Sequence, residues 1–417
     1  MRASWERNRF LVLFAAVTSV MGVSVGMARV ATSLYALELG ASETVLGLIA
    51  SGQSIGLLLM SLPAGALVDQ LGPRPLFLAG TIVAGVTYLT VPLVPSPWFL
   101  LACTTVASFC MPTRFVPLNA VFMQQLATVG EAKAGWYRGT HMTGMALAGP
   151  VLAAGAAKVL GYPATYGIIG GLFAVSLVAA PVILDRYAVR GDPRRRVSLR
   201  DVLGQLALLG DEPELRGACL DDFCVQAVNA FYTFFIVVIA IQALHAGPRE
   251  ATQLLVAQGG AFIAALFLLG ALVSRVGVTR LRRTCLGGIA CGLLVLGLGR
   301  ALGTLLAGGL LLGSGLGVLQ ISTLSRFATL GTRLGRGRTA GLEALFGPAG
   351  ALTGSAVGGA LGHLIGLQPV FLVLAAIVAA LAFVSGRRGS ATAAPAPLRA
   401  AQVQPCSLAG GSVSRDG

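Results

Sequence analysis

The stretch Gly65-Ala66-Leu67-Val68-Asp69-Gln70-Leu71-Gly72 occurs twice in the chain in related form. The second copy, Gly270-Ala271-Leu272-Val273-Ser274-Arg275-Val276-Gly277, begins 205 positions later. A second pair of segments repeats at nearly the same interval, since Arg138-Gly139 and Gly149-Pro150 return 198 positions later as Arg336-Gly337 and Gly347-Pro348. Because both pairs occupy corresponding places along the chain, the sequence predicts two halves built on the same plan.

The composition indicates which solvent surrounds these halves. Of the 417 residues, 55% are hydrophobic and 11% are charged, and the mean hydropathy is +0.82. A soluble domain carries about 25% charged residues, so most of this chain is expected to lie in lipid. The 56 glycines favour a helical bundle over a barrel, because glycine lets membrane helices approach one another closely.

Apolar segments follow one another along both halves, and each approaches the roughly 20 residues that cross a bilayer. We predict an all-α membrane protein with twelve transmembrane helices in two six-helix pseudo-repeats. The first six predicted helices are Phe10–Tyr35, Val45–Val68, Leu76–Val94, Trp98–Leu126, Trp136–Val159 and Ala164–Leu184. The second six are Cys219–Leu244, Thr252–Val273, Thr284–Leu298, Thr304–Phe327, Gly341–Ile365 and Val370–Val384.

Polar segments divide the chain into four parts. We expect an N-terminal six-helix half at 1–184, a cytoplasmic linker at 185–216, a C-terminal six-helix half at 217–385 and a tail at 386–417. Apolar residues between Leu199 and Leu209 recur at helical spacing, which predicts an amphipathic helix on the membrane surface within the linker. The tail is rich in Ala, Pro, Gly and Ser and is expected to be disordered.

The net charge of +14 is distributed unevenly along the chain. One alternate set of polar segments holds 24 Lys and Arg residues, whereas the opposite set holds only Lys158, Arg249 and Arg300. Positively charged loops stay on the cytoplasmic side of a membrane. The sequence therefore predicts a multi-pass inner-membrane protein with both termini cytoplasmic. Because this topology accounts for the positive charge, we do not expect the protein to bind nucleic acid.

The first copy of the repeat, read as Gly65-x-Leu67-x-Asp69-x-x-Gly72-x-Arg74, resembles the signature loop between helices two and three of the major facilitator superfamily. This resemblance implies a secondary transporter that works by alternating access, with the loop as part of a cytoplasmic gate.

The residue types in this loop also indicate a structural role for it. Gly72 permits a sharp turn, while Asp69 can accept hydrogen bonds or face a helix N-terminus. Arg74 can pair with Asp69 to form a latch; a solvated tight turn is the alternative. The loop departs from the family pattern at Gln70, where a basic residue is usual. The second copy departs at Ser274, which replaces the acid.

Two arginines lie well inside predicted spans and away from their ends, Arg114 near the middle of helix four and Arg29 on helix one. A charge at that depth costs about 2.5 to 3.5 kcal/mol on insertion scales, so it indicates function. The family resemblance implies that helices one, four, seven and ten line a cavity, and that an arginine on helix four belongs to a proton-linked motif. We expect Arg114 to face that cavity. Arg29 could equally extend its side chain to the membrane surface.

Further polar residues lie on helices four, seven and eleven. Asn119, Gln226 and Asn229 could share the cavity or could equally form hydrogen bonds between helices. Asp222, at the cytoplasmic start of helix seven, and Glu343, near the cytoplasmic start of helix eleven, are the acidic candidates for substrate binding or proton coupling. Neither is expected at mid-membrane depth.

Enzyme chemistry finds little support in the sequence. A P-loop needs a Gly-Lys pair, but Lys133 and Lys158 are both preceded by Ala. The GxSxG match at 22–26 lies within an apolar helix rather than a strand-to-helix turn. The histidines are isolated, so no metal-ligand set is apparent. We expect no catalytic residues, no cofactor and no metal.

The sequence favours a monomeric secondary transporter that moves a small organic solute together with, or in exchange for, protons. Gly149-Pro150 on helix five resembles the antiporter-type motif of the family and favours efflux, whereas Arg29 and Arg114 favour an organic anion. A sensor or assembly factor that transports nothing is the alternative.

The charge asymmetry generates a topology prediction. A reporter that is active only in the cytoplasm should be active when fused after Arg388 and silent when placed at Gly247. The reverse pattern would overturn the predicted orientation.

Overall fold

The computed structural model describes residues 2–130, 133–187, 199–246, 248–276 and 278–389, which are helical with short connections. Fourteen α-helices are assigned within these ranges: α1 Arg2–Glu38, α2 Glu43–Leu71, α3 Pro73–Thr90, α4 Pro97–Val129, α5 Ala134–Met142, α6 Gly149–Tyr187, α7 Leu199–Asp211, α8 Pro213–Leu244, α9 Pro248–Leu268, α10 Ala271–Val276, α11 Val278–Leu298, α12 Leu302–Leu334, α13 Arg336–Ile365 and α14 Val370–Gly389. A 3₁₀ turn at Val91–Leu93 follows α3, and a π-helix at Thr143–Ala148 joins α5 to α6.

Ten segments of the described chain are long and apolar enough to cross a membrane. One of them, Ala134–Asp185, has 52 residues and is interrupted at Gly161, where φ is +78°. Only glycine adopts this conformation readily, so the segment forms two spans. The shorter apolar helix α14 provides the twelfth span, and the predicted twelve-helix fold is confirmed.

The two halves pair their helices in the same way. In the first half, α2 and α3 both pack on α4, and α3 also packs on α6. In the second half, α9 and α11 both pack on α12, and α11 also packs on α14. The correspondence extends to α1 on α6 and α8 on α13. We call α1–α6 the first half and α8–α14 the second half.

Close backbone contact holds α13 against α8. A Cβ added at Gly350 or Gly354 would collide with the backbone of Phe223 or Ala227. Glycines that allow such close approach are the usual means by which membrane helices associate.

The halves meet where α2, α4 and α12 end and α5, α8 and α13 begin. We call this the basic end, because the arginine-rich segments of the sequence lie here. Helix α2 packs on α13, α4 packs on α12 and α13, and α5 packs on α9 and α12. A Cβ at Gly65 would lie 2.6 Å from the carbonyl oxygen of Gly337 and 3.0 Å from Cα of Gly341. The two halves are thus in tight backbone contact at the basic end.

Two of the predicted boundaries that differ from the structure change the position of the acidic candidates. Helix α8 begins at Pro213 rather than Cys219, and α13 begins at Arg336 rather than Gly341. Both acids therefore lie about two turns inside their helices, since a turn has about 3.6 residues. Asp222 is fully buried and Glu343 is 2% exposed. Residues 188–198 of the predicted linker, and all but the first four residues of the predicted tail, lie outside the described residues.

Candidate gate and coupling site

Asp69 joins the two halves at the basic end. Its Oδ1 accepts a hydrogen bond from the backbone N–H of Gly337 at 2.9 Å, and its Oδ2 accepts one from the N–H of Arg338 at 3.2 Å. Both donors lie in the first turn of α13, which starts after Gly335 at a φ of +103°. A carboxylate at a helix N-terminus satisfies unpaired N–H groups and interacts favourably with the helix dipole.

Arg74 pairs with a different acid from the one expected. Its Nη1 donates to both carboxylate oxygens of Asp185, at 2.7 and 2.8 Å, and both side chains are about half exposed. Gly72, at a φ of +82°, ends α2 and allows α3 to begin at Pro73. The turn directs Arg74 towards the end of α6, while Asp69 on the last turns of α2 contacts α13. Asp69 is therefore bound by the backbone of α13, and the expected Asp69–Arg74 pairing is corrected to Arg74–Asp185.

Glu343 forms a buried ion pair across the two halves. Its Oε1 lies 3.6 Å from Nη1 of Arg138 on α5, and its Oε2 accepts a hydrogen bond from Asn119 on α4. Arg138 is only 6% exposed and Asn119 is fully buried. Two residues of the first half thus hold one acid of the second half.

A second buried acid faces the same arginine. Asp222 accepts a hydrogen bond at Oδ1 from Gln320 at 2.9 Å, and its Oδ2 has no hydrogen-bond partner among the described residues. A Cβ at Gly347 would lie 3.2 Å from this Oδ2 and 3.8 Å from Nη2 of Arg138. We call Asn119, Arg138, Asp222, Gln320 and Glu343 the buried cluster. With all its groups ionised, the cluster holds two carboxylates and one guanidinium.

The neutral polar candidates on α8, the seventh predicted span, lie in two different environments. Gln226 is half buried, and its Cγ lies 3.8 Å from the Cβ position of Gly347, which places it beside the buried cluster. Asn229 accepts a hydrogen bond at Oδ1 from Gln258 at 2.9 Å. Gln258 belongs to α9, so Asn229 takes part in helix packing within the second half.

Arg114 packs inside the first half. Its guanidinium carbon lies 3.9 Å from the ring centre of Phe173 on α6 and 5.9 Å from that of Phe77 on α3. The side chain is 1% exposed, and its three nitrogens have no hydrogen-bond partner among the described residues. Cation–π contact of this kind contributes about 2 kcal/mol when desolvated.

The helical repeat explains why Arg114 differs from its expected position. Asn119 lies five residues further along α4, which is about 140° around the helix. Since Asn119 contacts α13, the Arg114 side of α4 turns towards α3 and α6 of its own half. The expectation that Arg114 faces a cavity between the halves is therefore corrected. Arg29 is exposed on α1, nine residues before that helix ends.

The helix-five motif coincides with a local change of helix type. The π-helix at Thr143–Ala148 ends directly before Gly149-Pro150. Proline removes one backbone donor and its ring displaces the preceding turn, which suits a π-helical segment. A Cβ at Gly149 would lie 2.8 Å from both Cα of Gly26 and the backbone nitrogen of Met27, so the motif packs the start of α6 tightly against α1.

The sequence interpretation did not select Arg138 or Gln320 as site residues. Arg138 entered only the charge count and the internal repeat, and its repetition as Arg336 was the available signal. Gln320 gave no signal, because one amide in an apolar helix is common and its partner Asp222 lies 98 positions away.

Known proteins place this architecture in a family. The family model described as Major Facilitator Superfamily matches residues 12–220 and 222–415. The chain belongs to the major facilitator superfamily. No curated protein matches the sequence.

Solved structures of other superfamily members share the fold. The human organic anion transporter MFSD10 (TETRAN) superposes with a TM-score of 0.73 at 17% identity, covering 91% of this chain and 99% of that one. The E. coli fucose:proton symporter FucP gives 0.70 at 15% identity, covering 91% and 98%. A structure of FucP in the outward conformation gives 0.73 at 14% identity, with the same coverage. At these identities the likeness concerns the fold.

Replacing Asp69 by Asn should loosen the basic end. The change removes the charge and turns an N–H donor towards the N–H groups of α13, and hydrogen bonds to charged groups contribute about 1.5–3 kcal/mol. We expect the basic end to open about ten times more often or more. In a background without native cysteines, a Ser61→Cys probe, buried between α2 and α13, should react correspondingly faster with a maleimide.

Asp185→Asn provides the matched control. It removes the half-exposed pair with Arg74, and such surface pairs contribute about 0–1 kcal/mol. Equal labelling rates in the two variants would show that the Asp69 contact does not hold the two halves together.

Proposed function

We propose that this protein is a proton-coupled secondary transporter that moves a small organic solute by alternating access. The observation that carries this proposal is the buried cluster, in which an acid of the second half is held by an arginine and an amide of the first half. Membership of the superfamily supports transport of a small solute, while the cluster supplies the coupling chemistry.

The charge balance of the cluster favours a proton as the coupling ion. Isolated buried charges are strongly disfavoured, and two carboxylates facing one guanidinium leave one negative charge in excess. Binding of one proton to Glu343 removes the excess, because Arg138 and Asp222 then balance each other. The cluster therefore favours one bound proton whenever it is closed off from water.

Loss of that proton weakens the contact between the halves. With Glu343 ionised, the closed cluster holds two carboxylates against one guanidinium, and a buried charge without a counter-charge is costly. Separation of α13 from α4 and α5 lets water hydrate the excess charge, so this cost falls on the closed conformation. Release of the proton thereby favours opening of the basic end, and binding of the proton favours closure.

The orientation follows from the charge asymmetry of the sequence. We place the basic end on the cytoplasmic side of the inner membrane, because positively charged segments remain in the cytoplasm. The described conformation is then closed towards the cytoplasm. Gate and cluster are both complete within one chain, which supports a monomer as the functional unit.

The direction and the solute class rest on separate features. Gly149-Pro150, beside the π-helix, supports export. Arg29, exposed on α1, supports an anionic solute, whereas Arg114 no longer does because its guanidinium packs on Phe173 within the first half. The organic anion transporter among the superposed structures agrees with this class at the level of fold alone.

A sensor or assembly factor on the same fold is the second candidate. Such a protein could retain the Asp69 gate as a structural contact, but it has no need for a buried ion pair that changes with one proton. The cluster therefore favours transport over this alternative.

Replacing Glu343 by Gln should uncouple solute transport from the proton gradient. Gln mimics the protonated acid, so exchange of solute across the membrane should persist while accumulation driven by a pH gradient falls at least about tenfold. Purified protein in liposomes should be assayed with organic acids and amphiphilic drugs, first selected by their effect on its melting temperature.

The matched control is Glu212→Gln, the same chemical change at a carboxylate that pairs with the exposed Arg333 at 3.2 Å. It should leave gradient-driven accumulation unchanged. Gradient dependence in Glu343→Gln equal to that of the parent would reject proton coupling at this site. Absence of any solute flux in the parent would favour the sensor.

A further inference from the structure

Helix α7 contacts both halves at the basic end. It packs on α2 of the first half and on α8 and α13 of the second half. Most of its described side chains are exposed or partly exposed, including Leu203 at 56% and Ala207. Gln205 is the exception at 1%. A fully buried amide on an otherwise surface-exposed helix requires a specific partner, because burying an unpaired amide is costly.

The partner of Gln205 is the backbone of the gate helix. Its Nε2 donates a hydrogen bond to the carbonyl oxygen of Leu62 on α2 at 2.9 Å. Pro63 follows directly and lies inside the same helix. A proline bends its helix, and in this bent part of α2 the carbonyl oxygen of Leu62 accepts the bond from outside the helix.

The other end of the amide lies in the seam between the halves, where Oε1 packs without a hydrogen-bond partner among the described residues. Oε1 of Gln205 is 3.1 Å from the Cβ position of Gly65 and 3.2 Å from that of Gly341. Gly65 belongs to the first half and Gly341 to the second. The two glycines therefore leave a space that the amide of Gln205 fills, and this space exists only while α2 and α13 are in contact.

We infer that Gln205 is a positioning residue that docks the linker helix into the closed seam, so that α7 acts as a clamp on the basic end. This inference rests on the proposed alternating access. When α2 and α13 separate, Gln205 loses its packing against Gly341 and α7 can no longer contact both helices, so the docked helix stabilises the closed conformation over the open one. The linker is then part of the gate as well as a connection between the halves.

Gln205→Glu is the sharpest test of the clamp. The substitution keeps the shape of the side chain but places a carboxylate against the carbonyl oxygen of Leu62. The rate at which a maleimide labels the buried Ser61→Cys probe should increase at least about tenfold. Gln205→Ala, which only removes the amide, should give a smaller increase and serves as the test if the first variant does not fold.

Ala207→Glu is the matched control, because it adds the same charge to the exposed side of α7 and should leave the labelling rate at the parent value. The melting temperature of each variant, measured in detergent, distinguishes gate opening from general unfolding. If the labelling rate is unchanged in both Gln205 variants but faster in Asp69→Asn, α7 does not act as a clamp, while the role of Asp69 in the gate still stands. Unchanged rates in all three would count against alternating access itself.

Discussion

The ion pair between Glu343 and Arg138 is the interaction on which the other features of this protein depend. It connects the halves at a depth where water is excluded, so neither charge can be left alone without a large cost. Asp222 faces the same guanidinium, so in the proposed mechanism the charge balance changes with one proton. The contact of Asp69 with α13 and the buried amide of Gln205 accompany the same close approach of α2 and α13.

Glycine makes these polar contacts possible in a chain of low polarity. Gly65, Gly337 and Gly341 bring the backbones of α2 and α13 close enough for one carboxylate and one amide to bridge them. Gly347 leaves space for the carboxylate of Asp222 and the guanidinium of Arg138. Larger side chains at these positions would move the helices apart and expose the charges to lipid or water.

The sequence predicted the twelve spans and their division into two repeats, because hydropathy and charge act on whole segments. Individual contacts were less accessible. Asn119 and Glu343 were both selected, but nothing in the sequence indicated that they meet across 224 positions. Arg114 was placed in the wrong environment because α4 is apolar around most of its circumference, so its pattern does not reveal which side faces the other half. Arg74 was assigned the acid nearest in sequence, whereas the turn at Gly72 directs it to Asp185.

The distance between the two halves at the basic end reports directly on whether a proton at Glu343 controls their contact. Spin labels at Leu71 on α2 and Thr332 on α12, both exposed, can be followed by double electron–electron resonance as the pH is lowered. We expect the distance to shorten on acidification in the parent, and in Glu343→Gln to be already short at neutral pH and insensitive to further acid. The same pH-dependent shortening in both proteins would rule out Glu343 as the proton site that controls the contact.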